Sequence, residues 1–289
     1  MKDFNATRVI TMCSWKHSAV WKLTSSLVPK FINASEYFVY VPEKEIKSFK
    51  KITPSDYRIE SQEGLGSEYR QTLWNKLILS NNKDRYGWYL QQFLKIDALI
   101  MNANQNSIIW DADCVPVKKL LFFNSYNIPL YMAAEEINDH YFRNIKLLLG
   151  LDRIQKQSFV IPGFPILKNW PLDFIAEIEQ RNQKSWYDAI LDSIDFKLKS
   201  GFSETETLGT WIANRHPNDW ATTQLNWERS GQSKFGYAKH IKGDYLIGIG
   251  EKYNLDIVSF ENWDLRGYHL KWQRLIELIK RLQINANNK

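Results

Sequence analysis

The stretch Ser107-Ile108-Ile109-Trp110-Asp111-Ala112-Asp113-Cys114-Val115-Pro116 limits the possible folds more than any other part of the chain. An apolar run of β-formers delivers two carboxylates, one residue apart, to a strand end that a proline then closes. Upstream, residues 8–13 read as a short apolar strand, residues 18–31 have helical spacing, and residues 37–41 read as a second strand stopping at Pro42. This is a β-α-β opening and predicts an α/β fold with a central, mostly parallel twisted sheet flanked by helices. In an open sheet of that kind, ligands bind beyond the carboxyl ends of the strands. Asp111 and Asp113 would stand there, and such a pair can hold a hard divalent cation whose other positions go to water and substrate phosphates. The plain alternative is that Asp starts a turn and caps the next helix.

The loop after the first strand is polar, and Thr11 and Ser14 are candidates for contact with a base or ribose. Residues 44–58 read as a charged helix or loop, and residues 60–69, with Gly64 and Gly66, as a solvated connection. Residues 88–100 carry two stripes at helical spacing. Tyr89, Phe93, Ile96 and Ile100 form an apolar one, and Trp88, Gln91, Gln92 and Lys95 a polar one. If the apolar stripe packs on the sheet beside the strand ending in Asp111, the polar stripe reaches the ligand cleft; otherwise it is a solvated face. Residues 131–134 read as a strand, 159–167 as a strand edge and loop, and 171–180 and 186–196 as helices.

A second acidic site follows in Phe202-Ser203-Glu204-Thr205-Glu206-Thr207-Leu208-Gly209. Ser203 with Glu206 has the spacing of a capping box, in which the glutamate returns to the N–H of the cap, and that explains Glu206 without chemistry. Glu204 remains as the candidate to accept a proton from an acceptor hydroxyl, with Glu206 second. Of the five histidines, His240 precedes a basic turn and is the choice for a third metal ligand, with Lys242 placed to neutralise a leaving diphosphate.

Aromatic residues make up 14% of the chain, more than a core requires, and suit a cleft that stacks a nucleobase or sugar face; a heavily aromatic core is the alternative. The net charge of +6 would fit nucleic acid, an acidic membrane or an anionic substrate. Lys and Arg are scattered among acids rather than massed, which argues against nucleic acid. Two cysteines, Cys13 and Cys114, without CxxC or a Cys/His cluster, predict a reduced protein without disulfides. No apolar run is long enough to span a bilayer and no signal core opens the chain, so a soluble, cytoplasmic protein is expected. Residues 267–282 read as an amphipathic basic helix that packs on the domain or touches an acidic inner-membrane face, and 285–289 as a disordered tail.

The segments Gly87-Trp88-Tyr89-Leu90-Gln91-Gln92-Phe93-Leu94-Lys95, Ile108-Ile109-Trp110-Asp111-Ala112-Asp113 and Phe202-Ser203-Glu204-Thr205-Glu206-Thr207-Leu208-Gly209 together resemble the GT-A-type glycosyltransferases of the DUF6492 family of bacterial proteins. The resemblance implies a single GT-A-like domain over residues 1–289. Residues 1–125 would be its nucleotide-sugar-binding half, 126–260 its acceptor-side half and 261–289 a C-terminal helix and tail. It further implies a UDP- or GDP-linked sugar donor, a glycan acceptor, surface polysaccharide synthesis, and Mn²⁺ or Mg²⁺ at the D-x-D pair. Asp113 would bind the cation directly, with Asp111 on the ribose or on a metal-bound water. Gln91, Gln92 and Lys95 match the helix motif. His240 with Gly243 is similar to the H-x-x-G of other GT-A families, although the residues that usually follow it are absent. Two other classes compete. A haloacid-dehalogenase-type phosphohydrolase would use Asp111 as nucleophile and Asp113 for proton handling. A non-catalytic carbohydrate-binding protein would use the aromatic residues alone.

Overall fold

The computed structural model describes residues 7–261 and residue 264. Strand β1 (Thr7–Met12) pairs in parallel with β2 (Glu36–Val41) on one side and β4 (Asn106–Trp110) on the other. β2 pairs in parallel with β3 (Tyr57–Ser61), and β7 (Gly163–Ile166) runs antiparallel to β4. The order is therefore β3-β2-β1-β4-β7, an α/β sheet that is parallel except at one edge. The chain lays β1, β2 and β3 outward in one direction and then returns to place β4 on the far side of β1. The crevice between the carboxyl ends of β1 and β4 is thus the point where the winding reverses, which is where open sheets bind ligands.

Strand alternation divides the interior into two cores. Val9, Val39, Ile108 and Trp110 face one side, where they pack with Trp21 and Val28 of the helix Ser18–Phe31. Ile10, Phe38, Ile109 and Phe164 face the other, where they meet Phe93 of the helix Tyr86–Met101 and Phe174 of the helix Trp170–Asn182. Ile109 points toward the helix Tyr86–Met101, and two residues later Asp111 lies on that same side.

The polypeptide turns a corner at Asp111–Asp113, with Cys114 N–H donating to Asp111 C=O at 3.1 Å. It enters β5 (Cys114–Pro116), which pairs antiparallel with β10 (Ile257–Ser259); β10 pairs in parallel with β9 (Trp227–Glu228). Pro116 does close the stretch, but it closes the second strand rather than the first. A further parallel pair joins β6 (Leu130–Met132) to β8 (Ala221–Thr223).

The expected helix over 18–31 is present with those bounds, and the helices expected near 88, 171 and 186 are present with shifted ends. The reading of 44–58 as a charged helix or loop is met by the helical turns Glu43–Glu45 and Ile46–Phe49, but it and the connection expected over 60–69 are corrected at β3, an edge strand in which Arg58 and Glu60 are exposed. Its polar outer face hides it, since an edge strand presents charge to solvent. The helices Arg70–Leu79 and Asp139–Leu149 were not anticipated. The C-terminal helix expected over 267–282 and the tail lie outside the described residues. Among the described residues, no helix is long and apolar enough to cross a membrane.

Candidate functional site

A cleft of about 560 Å³ opens at the carboxyl end of the sheet, a size typical of small-molecule sites. Ser14, Lys16 and His17 line it from the loop after β1, Gln62 from beyond β3, and Asp111 and Asp113 from the corner after β4. The polar stripe of the helix Tyr86–Met101 forms one wall, with Trp88, Gln91, Gln92 and Lys95, while Glu204 reaches in from the helix Glu204–Arg215. Trp227, Arg229 and Glu261 also line the cleft, and Arg229 ion-pairs with both Glu136 and Glu261 and stacks over the Trp227 ring.

The polar stripe is not a solvated face. Gln92 and Lys95 are buried, and their partners are the other two motifs. Lys95 Nζ donates to Asp111 Oδ1 at 2.7 Å and to Glu204 Oε1 at 2.7 Å, so one ammonium joins all three sequence motifs. Gln92 Oε1 accepts from the Glu204 N–H at 3.1 Å, which fixes the helix start that carries Glu204. Burial disfavours the ammonium, but Asp111 and Glu204 outweigh it and hold the Lys95 pKa above the ordinary lysine range. Glu204 lies within the buried core of the protein, yet its Oε2 makes no hydrogen bond among the described residues.

Asp113 is half-buried; its C=O accepts the Phe260 N–H at 2.8 Å, but its carboxylate receives no N–H or O–H from another described residue, the Cys114 thiol at 3.7 Å from Oδ1 being its one side-chain donor there. Burial, then the carboxylates of Asp111 and Glu261, push its pKa up to about 7, against the pull of Lys95. A carboxylate that ionises reluctantly and lacks a donor is one a cation would relieve. Among the described residues, no three His, Cys, Asp or Glu side chains are grouped to hold a metal ion. A cation at Asp113 would therefore take most of its positions from water and ligand oxygens, as Mg²⁺ does. The lining as a whole is acidic, with Asp84, Asp111, Asp113, Glu136, Glu204 and Glu261 against Lys16, Arg85, Lys95 and Arg229.

The other expected residues are placed as follows. Ser14 and Gln91 line the cleft; Thr11 is fully buried in β1, its Oγ1 without a hydrogen bond, and does not line it. His240 and Lys242 line a separate cavity with Phe235, Tyr237 and Tyr245, so they do not join Asp111 and Asp113. They flank the start of the helix Gly243–Tyr253, which is anchored through Leu246 and Ile249 to Val20, Leu23 and Val115. The capping box is only half formed. Ser203 Oγ accepts from Glu206 N–H at 3.2 Å, but the Glu206 carboxylate turns away from the cap to Ser158 and Phe159. Glu206 does not line the cleft.

His17 and Glu261 were not singled out from sequence. His17 lines the cleft, where burial and then Lys16 draw its pKa down to about 4, against Asp111, leaving a neutral imidazole. Its place in the loop after β1 was a signal that could have found it. Glu261 had none, because it is brought to Asp113 by β10, a strand of three residues.

A family model described as "Family of unknown function (DUF6492)" matches residues 23–225, a span that includes all three motifs. A search of the curated proteins returns no match.

Proposed function

The matched span is more than half of the chain, so the protein belongs to the DUF6492 family, and from its cleft we propose that it is a metal-dependent, GT-A-like glycosyltransferase. It would move a sugar from a UDP- or GDP-linked donor to a hydroxyl of a glycan acceptor, in the synthesis of a surface polysaccharide. The observation that carries this reading is the convergence of Asp111 and Glu204 on the Lys95 ammonium at the winding reversal between β1 and β4.

Charge supports the need for a cation. A lining with more carboxylates than ammonium or guanidinium groups repels a bare nucleoside diphosphate. Asp113 would hold Mn²⁺ or Mg²⁺, and the bound ion would supply charge neutralisation for the departing diphosphate. The chain's own residues do the rest. Lys95 fixes Asp111 beside Asp113 and ties it to Glu204 through one ammonium. Glu204, at a helix start and with Oε1 on Lys95, has Oε2 left to accept the proton of the acceptor hydroxyl. Gln91 and Trp88 give the neighbouring wall one amide and one ring, a pairing suited to a sugar or base.

A thermal-shift screen of UDP and GDP, each with and without Mn²⁺, tests the reading. Stabilisation by a nucleotide that depends on the metal is the expected result. Stabilisation by neither nucleotide under any metal condition would count against it.

A further inference from the structure

The proposed chemistry leaves Glu206 without a task, yet its surroundings are specific. The side chain is buried, and Oε2 accepts from Ser158 Oγ at 2.6 Å and from Phe159 N–H at 2.9 Å. Three residues later on the same helix face, a Cβ at Gly209 would lie 2.0 Å from Cγ of the Phe159 ring. Two positions of one motif are thus committed to one dipeptide. Ser158 is held further by its N–H to Ala134 C=O at 2.9 Å, and its Oγ accepts from Val160 N–H at 3.0 Å. Beyond it, Val160 and Ile161 line the cleft, and Pro162 C=O accepts the N–H of Asp111 at 3.0 Å.

We infer that Glu206 and Gly209 form a dock for residues 158–162, and that through this segment Glu206 is a positioning residue for Asp111 and not a proton acceptor. Glu204 restrains the side chain of Asp111 through Lys95, and Glu206 restrains its main chain through Pro162. The E-x-E pair then has one member in the cleft and one behind its wall. Burial raises the Glu206 pKa and its Oε1 has no partner, so the two donors on Oε2 are what keep this carboxylate in place. The functional consequence rests on the transferase reading; the dock itself does not.

Amide hydrogen exchange at Asp111 in the full chain separates the two. Glu206→Ala is expected to speed exchange of the Asp111 N–H on the order of tenfold. Glu206→Gln, which keeps an acceptor for Phe159, is expected to restore protection. Ser158→Ala, which removes one donor and is the gentler change should Glu206→Ala fail to fold, is expected to act in the same direction and less. Leu208→Ala, a core truncation on the same helix, is the comparator and is expected to leave Asp111 protected. Exchange at Asp111 unchanged in Glu206→Ala and Ser158→Ala, or equally fast in Leu208→Ala, would overturn the dock. Affinity for Mn²⁺ with UDP or GDP is expected to fall about tenfold or more in Glu206→Ala, as for loss of an outer-shell partner. If the wild type binds neither nucleotide with Mn²⁺, the transferase reading fails and the exchange result alone decides the dock.

Discussion

Lys95 and Glu204 stand 109 positions apart in the chain and meet at 2.7 Å, Nζ to Oε1, with both side chains almost closed to solvent. An ammonium so placed must be paired, because an isolated buried charge costs far more than its Coulombic return can offset. Asp111 supplies the second carboxylate from the partly open side. Lys95→Met leaves Glu204 buried without its cation and is expected to lower stability by about 3 kcal/mol or more. Adding Glu204→Gln should recover about 1 kcal/mol or more, since residues in contact are not additive. Urea unfolding of the two single variants and the double variant measures both quantities.

His17 gives the protein an acid limb. Its pKa falls from 6.5 to about 4 on folding, so between those values the unfolded chain binds more protons and stability drops as the pH drops. Two carboxyls act in the opposite sense. Burial raises Asp97 to about 6, although the Tyr69 hydroxyl donates to it at 2.5 Å, and Asp113 rises to about 7. Each favours the fold more as it is protonated. His17→Gln is therefore expected to raise Tm at pH 4, taken relative to Tm at pH 6.5, above the same difference in the wild type, by thermal melts across that range.

Gly209 offers a test of packing. A methyl group there meets the Phe159 ring well inside contact distance, and Phe159 is wedged against Tyr131, Phe164 and Trp220. Gly209→Ala is expected to cost about 1–3 kcal/mol, the usual range for overpacking. Phe159→Leu on top of it should relieve part of that loss in urea unfolding.

The two rival classes predict different chemistry. A phosphohydrolase of the haloacid-dehalogenase type would attack phosphorus through Asp111 Oδ2, since Oδ1 is paired with Lys95. No turnover of a chromogenic phosphate ester is expected, and sustained turnover lost in Asp111→Asn would favour that class instead. A non-catalytic binder would retain glycan affinity without metal in Asp113→Ala, measured by titration with oligosaccharides.

Much of the central layer was legible because it obeys local rules. The helix at 18–31 and the strands ending at Met12, Val41 and Trp110 combine strong periodicity with clear breakers. The site was legible where motif residues share one stripe, as Gln92 and Lys95 do. It was hidden where contacts depend on tertiary placement. Nothing local reveals that Glu206 prefers Ser158 and Phe159 to its own cap, since both outcomes satisfy the same Ser203 spacing. His240 and Lys242 form a plausible basic turn, but the packing of the helix that follows assigns them to another cavity. Edge strand β3 reads as polar loop because Arg58 and Glu60 face solvent.

The central claim is that Asp113, beside an Asp111 held by Lys95, binds a divalent cation together with a nucleoside diphosphate. Calorimetric titration of UDP and GDP into the protein with Mn²⁺, repeated on Asp113→Asn, tests it most directly. The account predicts metal-dependent binding of one nucleotide by the wild type and its loss in the variant. Equal binding by Asp113→Asn, or binding indifferent to Mn²⁺, would contradict it.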